Sequence, residues 1–301
     1  MKIKKILVPL QRGHGLSVPT RQDPHRRSSR GRLNVIAFGA HPDDCDIKMG
    51  GTAAKFAAAG HPVKFVALTS GDNGHPVQAG GQLSQRRRAE ASEAARRLGI
   101  EAYEVWDIHG GELVPSIEIR RYVVNAIRNW QADIVVGHRP YDYHPDHRYA
   151  AMLLQDAAYM VTVPHFSSSV PALIRNPLFL YFEDPFLRPT PLRPDVVVPI
   201  GDFVNKKLEA LDAHASQMYE WDPFMEERRT GLRVRVPKAH AARLEWLRKR
   251  WLTRSRPAGI EQALSDWYGE DERPIQYAEA FEVCEYGAQP SPLELRSLFA
   301  F

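Results

Sequence analysis

Residues 33–51 read LNVIAFGAHPDDCDIKMGG, a short apolar run that passes into a polar turn and then into small residues. The run from Leu33 to Phe38 combines β-branched and other apolar side chains and ends at a glycine, a pattern typical of a buried strand in a parallel sheet. Open α/β folds bind their ligands at the carboxyl ends of such strands. The turn that follows Phe38 is therefore the first place to look for chemistry.

This turn carries one imidazole and two adjacent carboxylates, His41, Asp43 and Asp44, around a proline that fixes its own backbone angle. Because His41 and Asp44 are three residues apart, a turn can aim both at one point and leave Asp43 free. A nitrogen and a carboxylate oxygen suit zinc, and a spare carboxylate suits a general base acting on a metal-bound water. The competing interpretation is an ordinary turn whose aspartates cap the next helix.

Strand-like and helix-like segments alternate after this turn. The pattern predicts three further strands, over Val63–Thr69, Ala102–Asp107 and Asp133–Gly137, and intervening helices over Met49–Gly60, Ser84–Leu98 and Ile117–Trp130. Such repeats imply right-handed βαβ crossovers. The predicted fold class is therefore α/β: a Rossmann-like, doubly wound, mainly parallel sheet with helices on both faces, plus a C-terminal accessory region.

A second polar cluster, HRPYDYHPDH at residues 138–147, follows the fourth predicted strand. Pro145 suits the first turn of a helix, and His144 and His147 then lie on one side of its N-terminus. Because parallel strands end at one edge of the sheet, this cluster is expected beside the first. Together the two clusters supply three protein ligands for a catalytic zinc, an open position for water, and acid–base groups nearby.

On these residues the chain resembles the LmbE/PIG-L family of zinc-dependent N-deacetylases, which includes the deacetylases of bacillithiol and mycothiol biosynthesis and of GlcNAc-phosphatidylinositol. The two motifs that carry the resemblance are Ala40-His41-Pro42-Asp43-Asp44, followed by Gly50-Gly51, and His144-Pro145-Asp146-His147. Further matches are Leu68-Thr69-Ser70-Gly71, Arg87-x-x-Glu90 ahead of Leu98-Gly99, and Lys207…His214-x-Ser216-Gln217. The resemblance covers residues 33–218, with a weaker match at 278–281.

The resemblance implies a set of zinc ligands, which are His41, Asp44 and His147. Iron(II) fits the same ligands. It also implies Asp43 as the base toward the water, and His144 as the group that stabilises the oxyanion. Asp146 would orient the His144 ring, and a hydrogen bond from the ring to that carboxylate would raise the pKa of His144 and keep it charged. Arg87 would contact the sugar, with a salt bridge to Glu90 as the alternative.

Two positions depart from the family pattern. Cys45 stands where many relatives carry Glu, and we expect it to pack or to support the ligands, since the metal already has three of them. Gly110 stands where many relatives carry the Asp of an Asp-Gly pair, a carboxylate suited to a sugar hydroxyl. Asp107 or Glu112 are the candidates to replace it.

Composition is that of an ordinary soluble globular protein, with 44% hydrophobic and 25% charged residues in a chain of 301. The two cysteines, Cys45 and Cys284, do not make a disulfide framework, so a reducing cytoplasm is expected. No apolar run reaches the length of a membrane span, and the N-terminus lacks the pattern of a signal peptide, so membrane insertion is not expected.

The basic charge is concentrated near the N-terminus, where residues 1–32 hold nine lysines and arginines and a single acid, Asp23. This predicts a disordered basic arm over residues 1–32. A deacetylase-like domain is then predicted over 33–218, and an accessory segment that packs on the same domain over 219–301. A basic amphipathic helix is predicted within that segment, over Ala239–Thr253.

The function predicted from these patterns is a zinc-dependent hydrolase that removes an N-acetyl group from an amino sugar or its conjugate, of the GlcNAc type. The near alternative is an amidase that acts on a larger thiol conjugate. An alternative of another class is a basic nucleic-acid- or nucleotide-binding module, but the first loop lacks the glycine fingerprint for a pyrophosphate. The expected partner is a small N-acetylated molecule, nucleic acid is not favoured, and the sequence leaves a homo-oligomer open.

Overall fold

The structure is a computed structural model that describes residues 31–252, 259–269 and 275–301. Seven strands are formed by these residues: β1 Val35–Gly39, β2 Val63–Ala67, β3 Ala102–Val105, β4 Ile134–Gly137, β5 Leu178–Phe182, β6 Val196–Pro199 and β7 Ala278–Val283. They make one sheet in the order β3-β2-β1-β4-β5-β7-β6.

The described helices are α1 Asp44–Ala58, α2 Gly80–Leu98, α3 Ile117–Trp130, α4 Pro145–Met160, α5 Val204–Ala213, α6 Asp222–Thr230, α7 His240–Leu247, α8 Ile260–Tyr268 and α9 Pro292–Leu298. A 3-10 turn at Gly201–Phe203 precedes α5, and π-helical turns at Ser216–Trp221 and Arg248–Leu252 follow α5 and α7. No helix of the described ranges is long and apolar enough to span a bilayer.

Strand β1 is the centre of the parallel part of the sheet. It pairs in parallel with β2 on one side and β4 on the other, so that Val35 lies opposite both Val63 and Ile134. All five of its residues are buried, as the apolar run predicted. Strands β2 and β3 lie on one side of β1, and the chain then returns to place β4 and β5 on its other side. The crevice at the carboxyl ends of β1 and β4 is therefore a topological switch point.

Helices cover both faces of this sheet, and alternate residues of β1 point into two cores. Val35 and Ala37 belong to the core that includes Phe56 of α1. Ile36 and Phe38 belong to the opposite core with α3 and α4. The period of two along the strand produces this division, because successive side chains leave opposite faces. The predicted doubly wound α/β fold is confirmed.

The second half of the sheet is antiparallel. Strand β7 lies between β5 and β6 and runs antiparallel to both, so residues from the predicted accessory segment complete the same sheet. The domain limits at 32 and 218 stay predictions, and residues 1–30 of the predicted arm lie outside the described ranges. The helix predicted over Ala239–Thr253 is α7 and its π-helical turn, with Thr253 also outside those ranges.

The first helix begins earlier than its sequence pattern indicated. We expected it from Met49, but α1 starts at Asp44 and includes a non-helical Met49 with φ −142°. The Asp43 carbonyl accepts a hydrogen bond from the Ile47 amide at 2.9 Å. The helix therefore starts directly within the polar turn, and this start places Asp44 in its first turn.

Candidate functional site

The two polar loops lie side by side because the strands that precede them are neighbours. The first loop, residues 40–44, follows β1, and the second loop, residues 138–147, follows β4. The Ala40 amide donates to His138 Nε2 at 3.2 Å and joins the two loops directly. The Thr69 hydroxyl donates to the Ala40 carbonyl at 2.8 Å and fixes the first loop to the end of β2.

The three residues that the sequence suggested as metal ligands converge. His41 Nδ1 lies 3.3 Å from His147 Nε2. The Asp44 carboxylate spans the two rings, with Oδ2 at 3.5 Å from His41 Nδ1 and Oδ1 at 3.5 Å from His147 Nε2. Two ligands around a tetrahedral zinc are separated by about 3.3 Å, given metal–ligand distances of roughly 2.0–2.1 Å. The separation of the two nitrogens and the donor set of two imidazoles and one carboxylate therefore fit this ion.

Each of the two histidines is held by a carboxylate on the nitrogen that faces away from its partner. His41 Nε2 lies 3.1 Å from Asp146 Oδ2, and His147 Nδ1 lies 3.1 Å from Asp142 Oδ1. Carboxylates in this position fix the ring orientation of metal-binding histidines and raise their basicity. The arrangement around the two rings is thus also that of a metal site.

The electrostatics of this triangle favour a cation. Burial lowers the pKa of His41, but hydrogen bonds to Asp146 and Asp44 outweigh it and raise the pKa to about 9. The nearby histidines hold the pKa of Asp44 well below its usual range, although burial opposes them. The rings and the carboxylates of Asp44 and Asp146 therefore stabilise each other's charged forms where the ligand atoms meet.

Asp43 lies beside the triangle and contacts a different partner. Its Oδ1 accepts from Arg87 Nη2 at 3.1 Å, and the residue is 6% exposed. Burial raises the pKa of Asp43 above its usual value, because it outweighs the opposing effect of the positive charge of Arg87. The carboxylate is thus adjacent to the candidate ligands and is held separately from them.

Arg87 lies behind the first loop. It is 2% exposed, and its guanidinium donates to the Gly71 carbonyl at 2.9 Å and the Pro42 carbonyl at 2.6 Å, as well as to Asp43. Glu90, the expected alternative partner, instead accepts from Arg86 Nε and from the Ser216 hydroxyl. The position of Arg87 differs from that of the expected sugar contact, because the side chain turns inward toward the loop.

His144 lies over the two histidines of the triangle, with its ring centroid 4.6 Å from that of His41 and 5.0 Å from that of His147. The Asp146 amide donates to His144 Nδ1 at 3.1 Å. Because an amide can only donate, Nδ1 accepts, and Nε2 carries the hydrogen of the neutral ring. His144 can therefore offer an N–H from Nε2.

The expected role of Asp146 requires a correction. Among the hydrogen bonds of the described residues, its carboxylate accepts from His41 Nε2, Gly111 N and Leu113 N, and does not reach the His144 ring. Burial, followed by the charges of His41 and His147, lowers the pKa of His144, whereas we expected a raised pKa. The carboxylate supports a candidate ligand instead of the oxyanion group.

Two residues of the second loop were quoted in the sequence motif without a role. Asp142 holds the His147 ring. His138 stacks on that ring with centroids 4.2 Å apart, and its Nε2 lies 3.3 Å from Asp44 Oδ2. The signal for His138 was its place directly after β4, at the edge where ligands bind.

Among the described residues, two groups at this site have ligand atoms close enough together to hold a metal ion, His41 with His144 and His147 and Asp44 with His138 and His147, and a third group, Glu209, Asp212 and His240, lies elsewhere. The His138 nitrogen that faces Asp44 already accepts from the Ala40 amide, and burial lowers the pKa of His138 to about 4. A lone pair that accepts a hydrogen bond does not also bind a metal. His41 and His147 therefore remain, with Asp44 or His144 as the third ligand.

The departure at Gly110 has a steric reason in this chain. A Cβ atom at Gly110 would lie 2.6 Å from Asn73 Oδ1, and Asn73 Nδ2 donates to the Gly110 carbonyl at 2.5 Å. Asp107 pairs with Arg88 at 3.1 Å. Asn73 therefore occupies the space that a side chain at position 110 would need.

The chain is similar in sequence to known deacetylases. A family model described as PIG-L, GlcNAc-PI de-N-acetylase, matches residues 36–158, a range that includes both loops. Diacetylchitobiose deacetylase of Thermococcus kodakarensis is 31% identical over 207 residues, which cover 64% of this chain and 74% of that protein. A probable N-acetyl-alpha-D-glucosaminyl L-malate deacetylase 2 of Bacillus anthracis is 27% identical over 193 residues, 61% of this chain and 81% of that protein.

Solved structures share the fold. The N,N'-diacetylchitobiose deacetylase from Pyrococcus horikoshii, complexed with its inhibitor MPG, is similar with a TM-score of 0.60 and 25% identity over 84% of each chain. GalB, the 4-carboxy-2-hydroxymuconate hydratase from Pseudomonas putida KT2440, has a TM-score of 0.63 and 22% identity, with 83% of this chain and 95% of that chain covered. Since a hydratase and a deacetylase share this fold, the reaction must be argued from the site.

Proposed function

Because the chain belongs to the PIG-L family of de-N-acetylases, we propose that it is a zinc-dependent hydrolase that removes the acetyl group from an N-acetylated amino sugar or its conjugate. Similar proteins are named for acetylated glucosamine compounds, diacetylchitobiose and N-acetyl-glucosaminyl malate. A single observation carries the proposal: the ring nitrogens of His41 and His147 lie 3.3 Å apart, the two Asp44 oxygens each lie 3.5 Å from one of them, and the carboxylate of Asp43 is held separately beside them.

In this proposal His41 Nδ1, His147 Nε2 and the Asp44 carboxylate hold the ion. Zinc supplies Lewis-acid chemistry, since it polarises a carbonyl oxygen and makes water more acidic. Iron(II) in the same ligands would supply the same chemistry. Asp146 and Asp142 keep the two rings in the orientation that the ligands need.

Asp43 and His144 take the acid–base roles. The Asp43 carboxylate accepts a proton as water attacks the acetamide carbon, and the same proton then passes to the nitrogen as the C–N bond breaks. The products are acetate and the free amine. His144 donates a hydrogen bond from Nε2 to the carbonyl oxygen, where negative charge develops, and keeps its proton; one such donor is worth about 10²–10³ in rate.

Arg87 acts on the base in this scheme. Its guanidinium bonds to Pro42 and Gly71 and to the Asp43 carboxylate, so it holds the first loop closed around the base. This replaces the sugar contact that the family resemblance implied. The sugar hydroxyls then need other partners on the open side of the site.

The proposed location is the cytoplasm, and the proposed partner is a small N-acetylated molecule. The two cysteines, Cys45 and Cys284, are free and buried, which agrees with a reducing compartment. Burial raises the pKa of the Cys45 thiol well above its usual range. Cys45 therefore acts as an apolar neighbour of the ligands in this proposal.

The test is an assay of acetate release from a panel of acetylated substrates, with metal analysis of the same sample. The panel contains N-acetylglucosamine, N,N'-diacetylchitobiose, and N-acetylglucosaminyl conjugates of inositol and malate, and its controls are the corresponding free amines. We expect acetate release from at least one acetylated compound, a bound metal near one per chain, and loss of activity after chelation that added zinc restores. A metal-loaded protein that releases no acetate from any of them would contradict the proposal.

A further inference from the structure

The backbone of Asp43 has a conformation that side chains rarely adopt. Its φ is 127° and its ψ is −26°. Among the described residues other than glycine, positive φ is recorded for Asp43 and Gln131, and Gln131 is an ordinary left-handed residue at the end of α3. A conformation of this kind persists only where the surrounding structure holds it, and such positions cluster at active sites.

Four hydrogen bonds hold Asp43 and the residue before it. The Asp43 amide donates to the Tyr103 hydroxyl at 3.0 Å, and its carbonyl accepts from the Ile47 amide at 2.9 Å. Arg87 Nη2 donates to Asp43 Oδ1 at 3.1 Å and to the Pro42 carbonyl at 2.6 Å. The amide of Asp43 thus depends on a single side chain from β3.

The direction of the Tyr103 hydroxyl is fixed by its other partner. The hydroxyl donates to Asp46 Oδ2 at 3.0 Å, and a carboxylate can only accept. The oxygen of Tyr103 must therefore present a lone pair to the Asp43 amide. Hydroxyls usually rotate to suit their neighbours, but this one has its hydrogen committed.

Tyr103 and Asp46 are themselves fixed from within the core. Asp46 is fully buried, and His214 Nε2, also fully buried, lies 3.1 Å from the same Asp46 oxygen. The Tyr103 ring stands edge-on to Phe65, with centroids 5.5 Å apart. His214 belongs to the Lys207…His214-x-Ser216-Gln217 block, to which the proposed chemistry gives no part.

We infer that Tyr103 is a positioning residue for the proposed base: its hydroxyl, oriented by buried Asp46, holds the strained backbone of Asp43 through the amide. The inference rests on the proposed function of Asp43. Without this acceptor the Asp43 amide would be left unpaired in a buried turn, and the turn would relax toward an ordinary φ. The carboxylate would move with its backbone, and misplacement of a reacting group by about 1 Å costs on the order of 10²-fold in rate.

The test compares Tyr103→Phe with Tyr181→Phe in the full chain. Tyr181 is a matched control, because its hydroxyl also has two partners, Gln155 Nε2 at 2.8 Å and Cys284 Sγ at 3.1 Å, on the other half of the sheet. Three quantities are measured for each protein: hydrogen exchange of the Asp43 amide by NMR, bound metal per chain, and kcat and KM for acetate release.

In Tyr103→Phe we expect the Asp43 amide to exchange at least about tenfold faster, and kcat to fall by about 10- to 100-fold with KM and metal content unchanged. Tyr181→Phe should change none of these. Unchanged exchange overturns the inference, as does faster exchange with kcat within twofold of the parent. A parallel loss of metal and kcat also overturns it and gives Tyr103 a merely structural role.

The exchange measurement separates this inference from the proposed function. If the parent protein releases no acetate from the panel, the proposed function fails, and the exchange rate of the Asp43 amide alone decides whether Tyr103 holds that backbone. If the parent is active and the two phenylalanine variants behave alike, the proposed function stands and the inference fails.

Discussion

The two loops of the site achieve order in different ways. The first loop, residues 40–44, is fixed through its backbone, because the Pro42 carbonyl and the Asp43 amide bond to Arg87 and Tyr103. The second loop, residues 138–147, is fixed through its side chains, because a carboxylate holds the His147 ring, while Tyr143 remains 74% exposed. The first loop thus suits a precisely placed base with two ligands beside it, and the second supplies the third ligand, buried His147, next to an exposed tyrosine.

The largest loss of activity is expected when a metal ligand is removed, because the ion is held by ligands from both loops. His41→Ala in the first loop and His147→Ala in the second should each abolish metal binding, because two ligands of the triangle remain. Loss of the Lewis acid should lower activity by roughly 10³-fold or more. Metal analysis by mass spectrometry and acetate release measure this. His109→Ala is the control, since His109 is half-exposed and pairs with Asp72 outside the triangle; a full metal complement in either ligand variant would show that the loops do not share an ion.

A smaller but still large effect should be confined to the first loop. Asp43→Asn keeps the size of the side chain and an oxygen for Arg87, but it removes the basic carboxylate. Activity should fall by about 10²–10⁴, the usual contribution of general acid–base catalysis, and the metal should remain. Asp156→Asn is the control, at a partly exposed aspartate that pairs with Arg120 away from the site. Activity within tenfold of the parent would remove Asp43 from the role of base.

The third prediction tests whether His144, in the second loop, is a metal ligand or the hydrogen-bond donor to the oxyanion. If Asp44 is the third ligand, His144→Ala should keep the metal and lose about 10²–10³ in kcat, as expected for the loss of one donor to a developing oxyanion. Metal content and kcat are measured beside those of His147→Ala. If His144→Ala loses its metal to the same extent as His147→Ala, then His144 is a ligand and the first loop supplies one ligand fewer.

The sequence predicted the fold and the meeting of the two loops because both follow from short-range patterns. The apolar run of β1 and the repeats after it determine a parallel sheet, and the parallel sheet brings the ends of β1 and β4 to one edge. The helix over Ile117–Trp130 was predicted at its observed limits. Helices α6, α8 and α9 were not predicted, because they are short and follow charged or proline-containing sequence.

Partners across the site could not be predicted from spacing. Asp146 follows His144 closely in sequence, and that proximity suggested that its carboxylate served His144, whereas it bonds to His41, 105 residues away. Arg87 similarly turns toward a loop 45 residues earlier. A motif gives the residue types that reach an edge of the sheet. Which side chain faces which partner depends on helix and strand packing that no local pattern records.

The smallest effects are expected at the two carboxylates that support the ligand rings, Asp146 behind His41 and Asp142 behind His147. Asp146 uses both oxygens: Oδ2 accepts from His41 Nε2 and the Gly111 amide, and Oδ1 accepts from the Leu113 amide at 3.2 Å. Asp146→Asn would place an NH₂ group against one of these donors. We expect metal affinity to fall by about 10- to 100-fold, the usual range for such supporting carboxylates.

Asp142 is predicted to tolerate the same change better. Its Oδ1 meets both His147 Nδ1 and the His144 amide, so the single oxygen of an asparagine can serve both contacts. Asp142→Asn should therefore lower metal affinity by less than about tenfold, as measured by competition with a chelator and with thermal unfolding as a check on the fold. Equal losses in the two variants would mean that the negative charge, and not the hydrogen-bond pattern, supports the ligands. The two loops would then hold their histidines by the same means, although they hold their backbones by different ones.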